Sequence, residues 1–132
     1  MAGTTKSNNM QPIAGALKPG KDSRPAKLAI SSLRSEFGLT RKTLARMTGL
    51  SERTLVTWEA GGSLNEAGKR SLASVERLLR ALAEVIRREA IAAWLEQPNE
   101  GFGNLKPLEV MERGEVDRLW RMIYFVGSGT VS

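Results

Sequence analysis

With no cysteine and no histidine among 132 residues, this chain has no thiolate nucleophile, disulfide or imidazole acid, base or metal ligand to offer. Carboxylates remain, and Glu109, Glu112, Glu115 and Asp117 cluster, but they fall on expected exposed helical faces without metal-ligand spacing. They read as a solvated acidic face, so an enzyme is the reading these residues support least, and neither a cofactor nor a metal is expected. What the chain does offer is donors. Between positions 40 and 57, Thr40, Arg41, Lys42, Ser51, Glu52, Arg53, Val56 and Thr57 combine guanidinium, ammonium and hydroxyl groups with one carboxylate and one small apolar side chain. That mixture suits hydrogen bonding to phosphates and to base edges.

The elements that must hold these residues are helical. Ile30, Leu33 and Phe37 recur at helical spacing before Gly38, which predicts a helix over 26–37. Thr40 is a capping residue for a second helix over 41–48 that Gly49 ends, and Ser51 caps a third over 52–60 that runs into Gly61 and Gly62. Only three residues separate the second helix from the third, the spacing of a helix-turn-helix. Small Ala45 falls where the two helices would cross most closely, while Leu44, Leu50, Leu55 and Trp58 fall where such a pair buries its core. A generic helical hairpin would share some of these features.

Further along, Leu72, Val75, Leu78, Leu79, Leu82, Val85 and Ile86 repeat at three and four, continuing to Ile91, Trp94 and Leu95. One long helix or two abutting ones are expected over 66–96. Pro98 and Asn99 end that stretch, and Gly101 and Gly103 make a turn region. Pro107 sits in the first turn of a short helix over 107–113 with Gly114 as its stop. A last helix over 115–126 carries Val116, Leu119, Trp120, Ile123 and Tyr124, and residues 127–132 form a tail. No alternating strand pattern of any length occurs, so the fold class expected is all-α.

With Leu55 and Trp58 facing inward, Glu52, Arg53, Val56 and Thr57 face outward. In a helix-turn-helix the N-terminal part of the second helix enters the DNA major groove. Arg53 is then the best reader, because its fork bonds guanine O6 and N7 together. Glu52 suits a cytosine amino group, Val56 a thymine methyl, and Thr57 a base or a phosphate. Ser51 at the turn joins them, and Thr40, Arg41 and Lys42 stand where the phosphate backbone is approached.

The segment GLTRKTLARMTGLSERTLVTWEAG over 38–61 resembles the Xre or phage-repressor type of helix-turn-helix, with Leu44-Ala45, Gly49, Ser51 and Trp58-Glu59 in its usual pattern. Many members carry Gln where this chain has Arg41. A second resemblance covers 84–129. There the run WLEQPNEGFGNLKPLEVMERGEVDRLWRMIYFVGSG is similar to the C-terminal toxin-binding domain of the Xre/MbcA/ParS group of antitoxins, with Trp94-Leu95, Pro98-Asn99, Phe102-Gly103, Pro107-Leu108 and Gly127 in its order. Together the resemblances imply an antitoxin that binds and occludes a cognate RES-domain toxin acting on NAD. They also imply that it represses the shared promoter by binding double-stranded operator DNA. The organisation expected is a flexible basic arm over 1–25, a DNA-binding domain over 26–83 and a small helical toxin-binding domain over 84–132.

Charge distribution agrees with two partners. Residues 1–27 carry +4, residues 28–83 carry +4 and residues 84–132 carry −2, so the basic front suits a polyanion and the mildly acidic back something else. Five of the seven aromatics, Trp94, Phe102, Trp120, Tyr124 and Phe125, crowd the last third. A lobe this small hardly encloses them all, and aromatics left outside are favoured interface anchors. Tyr124, Phe125, Val126, Gly127 and Ser128 are accordingly the expected toxin contacts, while Trp94 and Trp120 suit a core role equally well. The longest near-apolar stretches, 90–95 and 122–127, fall far short of the roughly 20 residues a membrane span needs, and the start lacks a signal-peptide core. A cytoplasmic protein without membrane contact is expected, acting as a homodimer because two reading helices then enter successive major grooves about 34 Å apart. Two other readings stay open: a stand-alone dimeric repressor without a toxin, and a protein-binding adaptor without DNA affinity.

Overall fold

A computed structural model describes residues 26–128. The basic arm expected over 1–25 and the last four residues of the tail lie outside the described residues. Seven α-helices make up the described chain: α1 Ala26–Phe37, α2 Arg41–Thr48, α3 Glu52–Glu59, α4 Glu66–Leu82, α5 Ile91–Leu95, α6 Pro107–Glu112 and α7 Val116–Ser128. Among the described residues no strand forms, and the fold is all-α as the patterning implied. One isolated antiparallel bridge, Asn99 to Leu105, closes the turn between α5 and α6.

The helix ends follow from residue chemistry. The hydroxyls of Thr40 and Ser51 accept the backbone N–H groups of Thr43 and Thr54, each at 3.0 Å, satisfying amides that a first turn leaves unpaired. Gly49 stops α2 in the left-handed conformation, φ 78°, donating its N–H to the Ala45 carbonyl at 2.9 Å. Pro107 opens α6, where a missing N–H costs nothing, and the Glu109 carboxylate reaches back to the Lys106 N–H at 2.8 Å.

The stretch expected over 66–96 is divided. Helix α4 stops at Leu82, and the N–H groups of Glu84, Val85 and Ile86 bond to the Ala81 and Leu82 carbonyls in tight turns. Arg87 is then extended, and a 3₁₀ turn leads into α5. The division bends the chain back so that Ile91 and Leu95 join Leu82 in the core, all three fully buried. A straight helix would have carried them away from it. The last helix also runs to Ser128, two residues beyond the expected end.

One apolar core runs through the whole described chain. It contains Ile30, Leu33 and Phe37 from α1, Leu44 and Leu55 from the α2–α3 pair, and Leu108, Val110 and Leu119 from α6 and α7. Helix α4 lies against both halves, touching α1, α2 and α7. Burying such side chains contributes roughly 1.5–3 kcal/mol each, so the two surfaces described next rest on a shared scaffold.

Candidate nucleic-acid and partner surfaces

The α2–α3 pair is joined by residues 49–51. Ala45 is buried near the crossing, and Leu55 and Trp58 point into the core. Glu52, Arg53, Val56 and Thr57 are left exposed along one face of α3, with Ser51 exposed at its start. Arg53 is exposed and forms no ion pair among the described residues, which leaves its guanidinium open to solvent. Thr57 bonds its hydroxyl back to the Arg53 carbonyl at 3.0 Å, which steadies the turn carrying Arg53.

The residues at the start of α2 are more committed than their types suggest. Thr40 donates its proton to the Thr43 hydroxyl at 3.1 Å, and Thr43, itself buried, donates to Glu96 Oε2 at 3.2 Å. Arg41 gives two bonds to Glu59 Oε1, Nη2 at 2.6 Å and Nε at 3.1 Å. Arg34 bonds the other oxygen of Glu59 at 2.9 Å. A phosphate approaching Arg41 therefore competes with Glu59 for the guanidinium, or uses the nitrogen that Glu59 leaves over. Burial resists ionisation of Glu59, but the hydrogen bonds from Arg41 and Arg34 outweigh it and hold the carboxyl below its ordinary range. Lys42 is exposed and has no ion pair among the described residues.

Helix α3 is braced from behind. The outer ring of Trp58 packs over Gly68 near the start of α4, and a Cβ there would come within 2.4 Å of Cη2. Only glycine leaves the indole its room.

The second surface is the end of α7. Trp120, Tyr124, Phe125 and Val126 are 39%, 77%, 56% and 46% exposed, and Gly127 and Ser128 are exposed beside them. Tyr124 lies one turn beyond Trp120 on the same side, while Phe125 points elsewhere, so the last turns are apolar around much of their circumference. A helix end of that kind is suited to entering another protein rather than water. The remaining aromatics serve the core. Phe102 is buried, Trp94 packs edge-on against it with ring centres 6.3 Å apart, and the Arg118 guanidinium covers its other side at 5.7 Å. Of the two residues that suited core and interface equally, Trp94 is half-buried and Trp120 is exposed.

The acidic residues of the last third have structural partners. Glu109 caps α6, Glu115 pairs with Arg118, and Asp117 pairs with Arg121. Glu112 takes a bidentate grip from Arg46 of α2, at 2.7 and 3.0 Å, and these bonds hold its carboxyl below the usual range. Among the described residues no group of three or more Asp and Glu is placed to hold a metal ion. No described helix is long and apolar enough to cross a membrane. Sequence reasoning missed three contacts: Arg46–Glu112, Thr43–Glu96 and the Glu59 clasp. Each joins residues 18 or more positions apart, beyond the reach of a helical period.

The described residues are all-helical, with a short-turn helix pair at one end and an apolar helix end at the other, and so present two candidate binding surfaces. Among known proteins the chain is similar to antitoxins. No family model matches the chain. It is 27% identical over 101 residues to the mycobacterial cidal antitoxin MbcA of Mycobacterium tuberculosis and, at the same identity, to that of Mycobacterium bovis, covering 76% of this chain and 89% of each relative. Its fold matches a chain in the crystal structure of the M. tuberculosis MbcT–MbcA toxin–antitoxin complex, with a TM-score of 0.65 and 25% identity over 80% of this chain and 96% of the other. This homology supports an antitoxin role and, because that role is non-enzymatic, the reading that the chain is not an enzyme.

Proposed function

We propose that the chain is the antitoxin of a toxin–antitoxin pair: it binds and occludes a RES-domain toxin in the cytoplasm and represses its own operon by binding operator DNA. The observation that carries the first half is the apolar end of α7, where Tyr124, Phe125 and Val126 stand exposed on a chain homologous to an antitoxin. Residues 124–128 are the toxin contacts in this reading, and 84–132 the toxin-binding part. The RES identity of the toxin rests on the pattern of residues 94–129. For the second half, residues 26–83 bind DNA as a dimer, α3 reading bases through Arg53 while Lys42 and the start of α2 meet phosphates. Basic residues 1–25 add to the attraction for DNA. Supporting this are the three-residue turn, the inward Leu55 and Trp58, and the outward Arg53.

The test is co-expression with the product of the adjacent reading frame, combined with gel shifts on the chain's own promoter. The expected result is a stable complex that abolishes the toxin's NAD-consuming activity, together with a specific shifted band. A neighbouring product that neither binds the chain nor is neutralised by it defeats the antitoxin reading. A dimer that shifts the promoter without any toxin partner would make it a stand-alone repressor.

A further inference from the structure

Twelve arginines fall among the described residues, and nine of them lie within ion-pair distance of a carboxylate. Three have no such partner among the described residues. One is Arg53, on the outward face of α3. The other two, Arg70 and Arg77, stand two turns apart on α4, and both line the same groove. Arg77 has one long bond to the Ser74 hydroxyl, at 3.4 Å.

This groove, about 710 Å³ in volume, runs between α4 and the α6–α7 corner. Its α4 wall carries the two guanidinium groups with Ser71 and Ser74 between them, and its opposite wall is apolar, with Met111, Val116 and the half-open indole of Trp120. Arginine and tryptophan beside an apolar floor are the residue types that anchor protein interfaces. Every other described arginine outside the α3 face has a carboxylate within ion-pair distance, so the two guanidinium groups on this wall are the ones free to take carboxylates from outside.

The two walls together decide the occupant. A nucleic-acid backbone would pair with the two guanidinium groups but leave the apolar wall of Met111, Val116 and Trp120 uncovered. A segment combining acidic and apolar side chains matches both walls. Trp120 is shared between this groove and the α7 face that continues to Tyr124.

We infer that the α4/α6–α7 groove is a second docking surface for the toxin, taking a segment in which carboxylates pair with Arg70 and Arg77 while an apolar side chain packs on Trp120. The inference rests on the antitoxin reading and extends it from the end of α7 to the α4 wall.

The experiment uses the full chain and the purified toxin from the adjacent reading frame. Toxin affinity is measured by calorimetry for the unaltered chain, the charge-reversed double variant Arg70→Glu/Arg77→Glu, the neutral Arg70→Gln/Arg77→Gln and Phe125→Asp on α7. Both arginine positions are exposed, and melting curves check that the variants fold. Charge reversal should weaken toxin binding by about tenfold or more, the neutral pair should weaken it less and flatten its salt dependence, and promoter binding should fall less than toxin binding in both variants, because the lost positive charge weakens the attraction to DNA without removing a base contact. Unchanged toxin affinity in both arginine variants, with Phe125→Asp still damaging, overturns the groove and leaves the α7 reading intact. Loss of promoter binding with toxin affinity kept assigns the arginines to DNA and also overturns it. A dimer that falls apart without toxin makes the groove a self-association surface, a third refutation. Failure of all variants to affect toxin binding overturns both the groove and the α7 surface, whereas a toxin that does not bind the unaltered chain defeats the antitoxin reading itself.

Discussion

Replacing Gly68 by alanine tests the contact that braces the outward helix. In a helix interior this change ordinarily stabilises by roughly 0.5–1 kcal/mol, because alanine loses less backbone freedom on folding. Here the new methyl would meet Trp58 Cη2 at 2.4 Å and Cζ2 at 3.2 Å. Carbon atoms pack at about 3.5–4.0 Å, so ring and methyl must separate by about an ångström. The indole is 7% exposed and its neighbours are core side chains, so it has little room to swing. Overpacking of this kind costs about 1–3 kcal/mol. The net expectation is a loss of about 1–2 kcal/mol, lowering Tm by roughly 4–8 °C for each kcal/mol in a domain of this size. The control is the same change in a Trp58→Phe background, where the outer ring is gone and Gly68→Ala should be neutral or stabilising. Thermal melts of the four proteins give the coupling energy. A rise in Tm for Gly68→Ala alone, or an equal effect in both backgrounds, would refute the argument.

Other expectations follow from the same contacts. Glu59, held below its ordinary range by Arg41 and Arg34, binds its proton less tightly folded than unfolded. Its contribution is therefore complete above the ordinary carboxylate range and is lost as pH falls through the depressed value. Urea melts of Glu59→Gln should show lower stability at neutral pH and a shallower acid limb; an unchanged acid limb contradicts the clasp. Breaking Arg46–Glu112, which is partly exposed at both ends, should cost only about 0.5–1 kcal/mol, and a double-mutant cycle with zero coupling would show that the pair is idle. Arg53→Ala should leave Tm unchanged and weaken specific promoter binding by about 1–3 kcal/mol, with competitor-DNA gel shifts as the readout.

Local patterns accounted for much of the fold. The starts of α2 and α3 were legible in Thr40 and Ser51, and the stop of α2 in Gly49, because capping needs only neighbouring residues. Leu55 and Trp58, three apart, fixed which side of α3 faces inward and hence which residues face out. The break after Leu82 was not legible as a break. No glycine or proline marks it, and the apolar period continues through Val85 and Ile86, which are only half-buried. What ends α4 is the gain from folding Ile91 and Leu95 back into a core assembled by other helices. The same limit applies to Arg41 and Thr40. Their chemistry suggested phosphate contacts, but Glu59 and the Thr43–Glu96 relay reach them through tertiary packing alone. Trp94 and Trp120 likewise could not be told apart by spacing, since it was the position of Phe102 that drew Trp94 inward.

The central claim is that the apolar end of α7 is the surface through which this chain neutralises a toxin. Its most direct test is a toxin-neutralisation assay with Phe125→Asp beside an unaltered control, both shown by circular dichroism to be folded. Phe125 is 56% exposed, so stability should hold within about 0.5 kcal/mol. The account predicts that the variant folds, still shifts the promoter, and no longer protects cells or inhibits the toxin. A folded Phe125→Asp chain that neutralises the toxin as well as the control would contradict it.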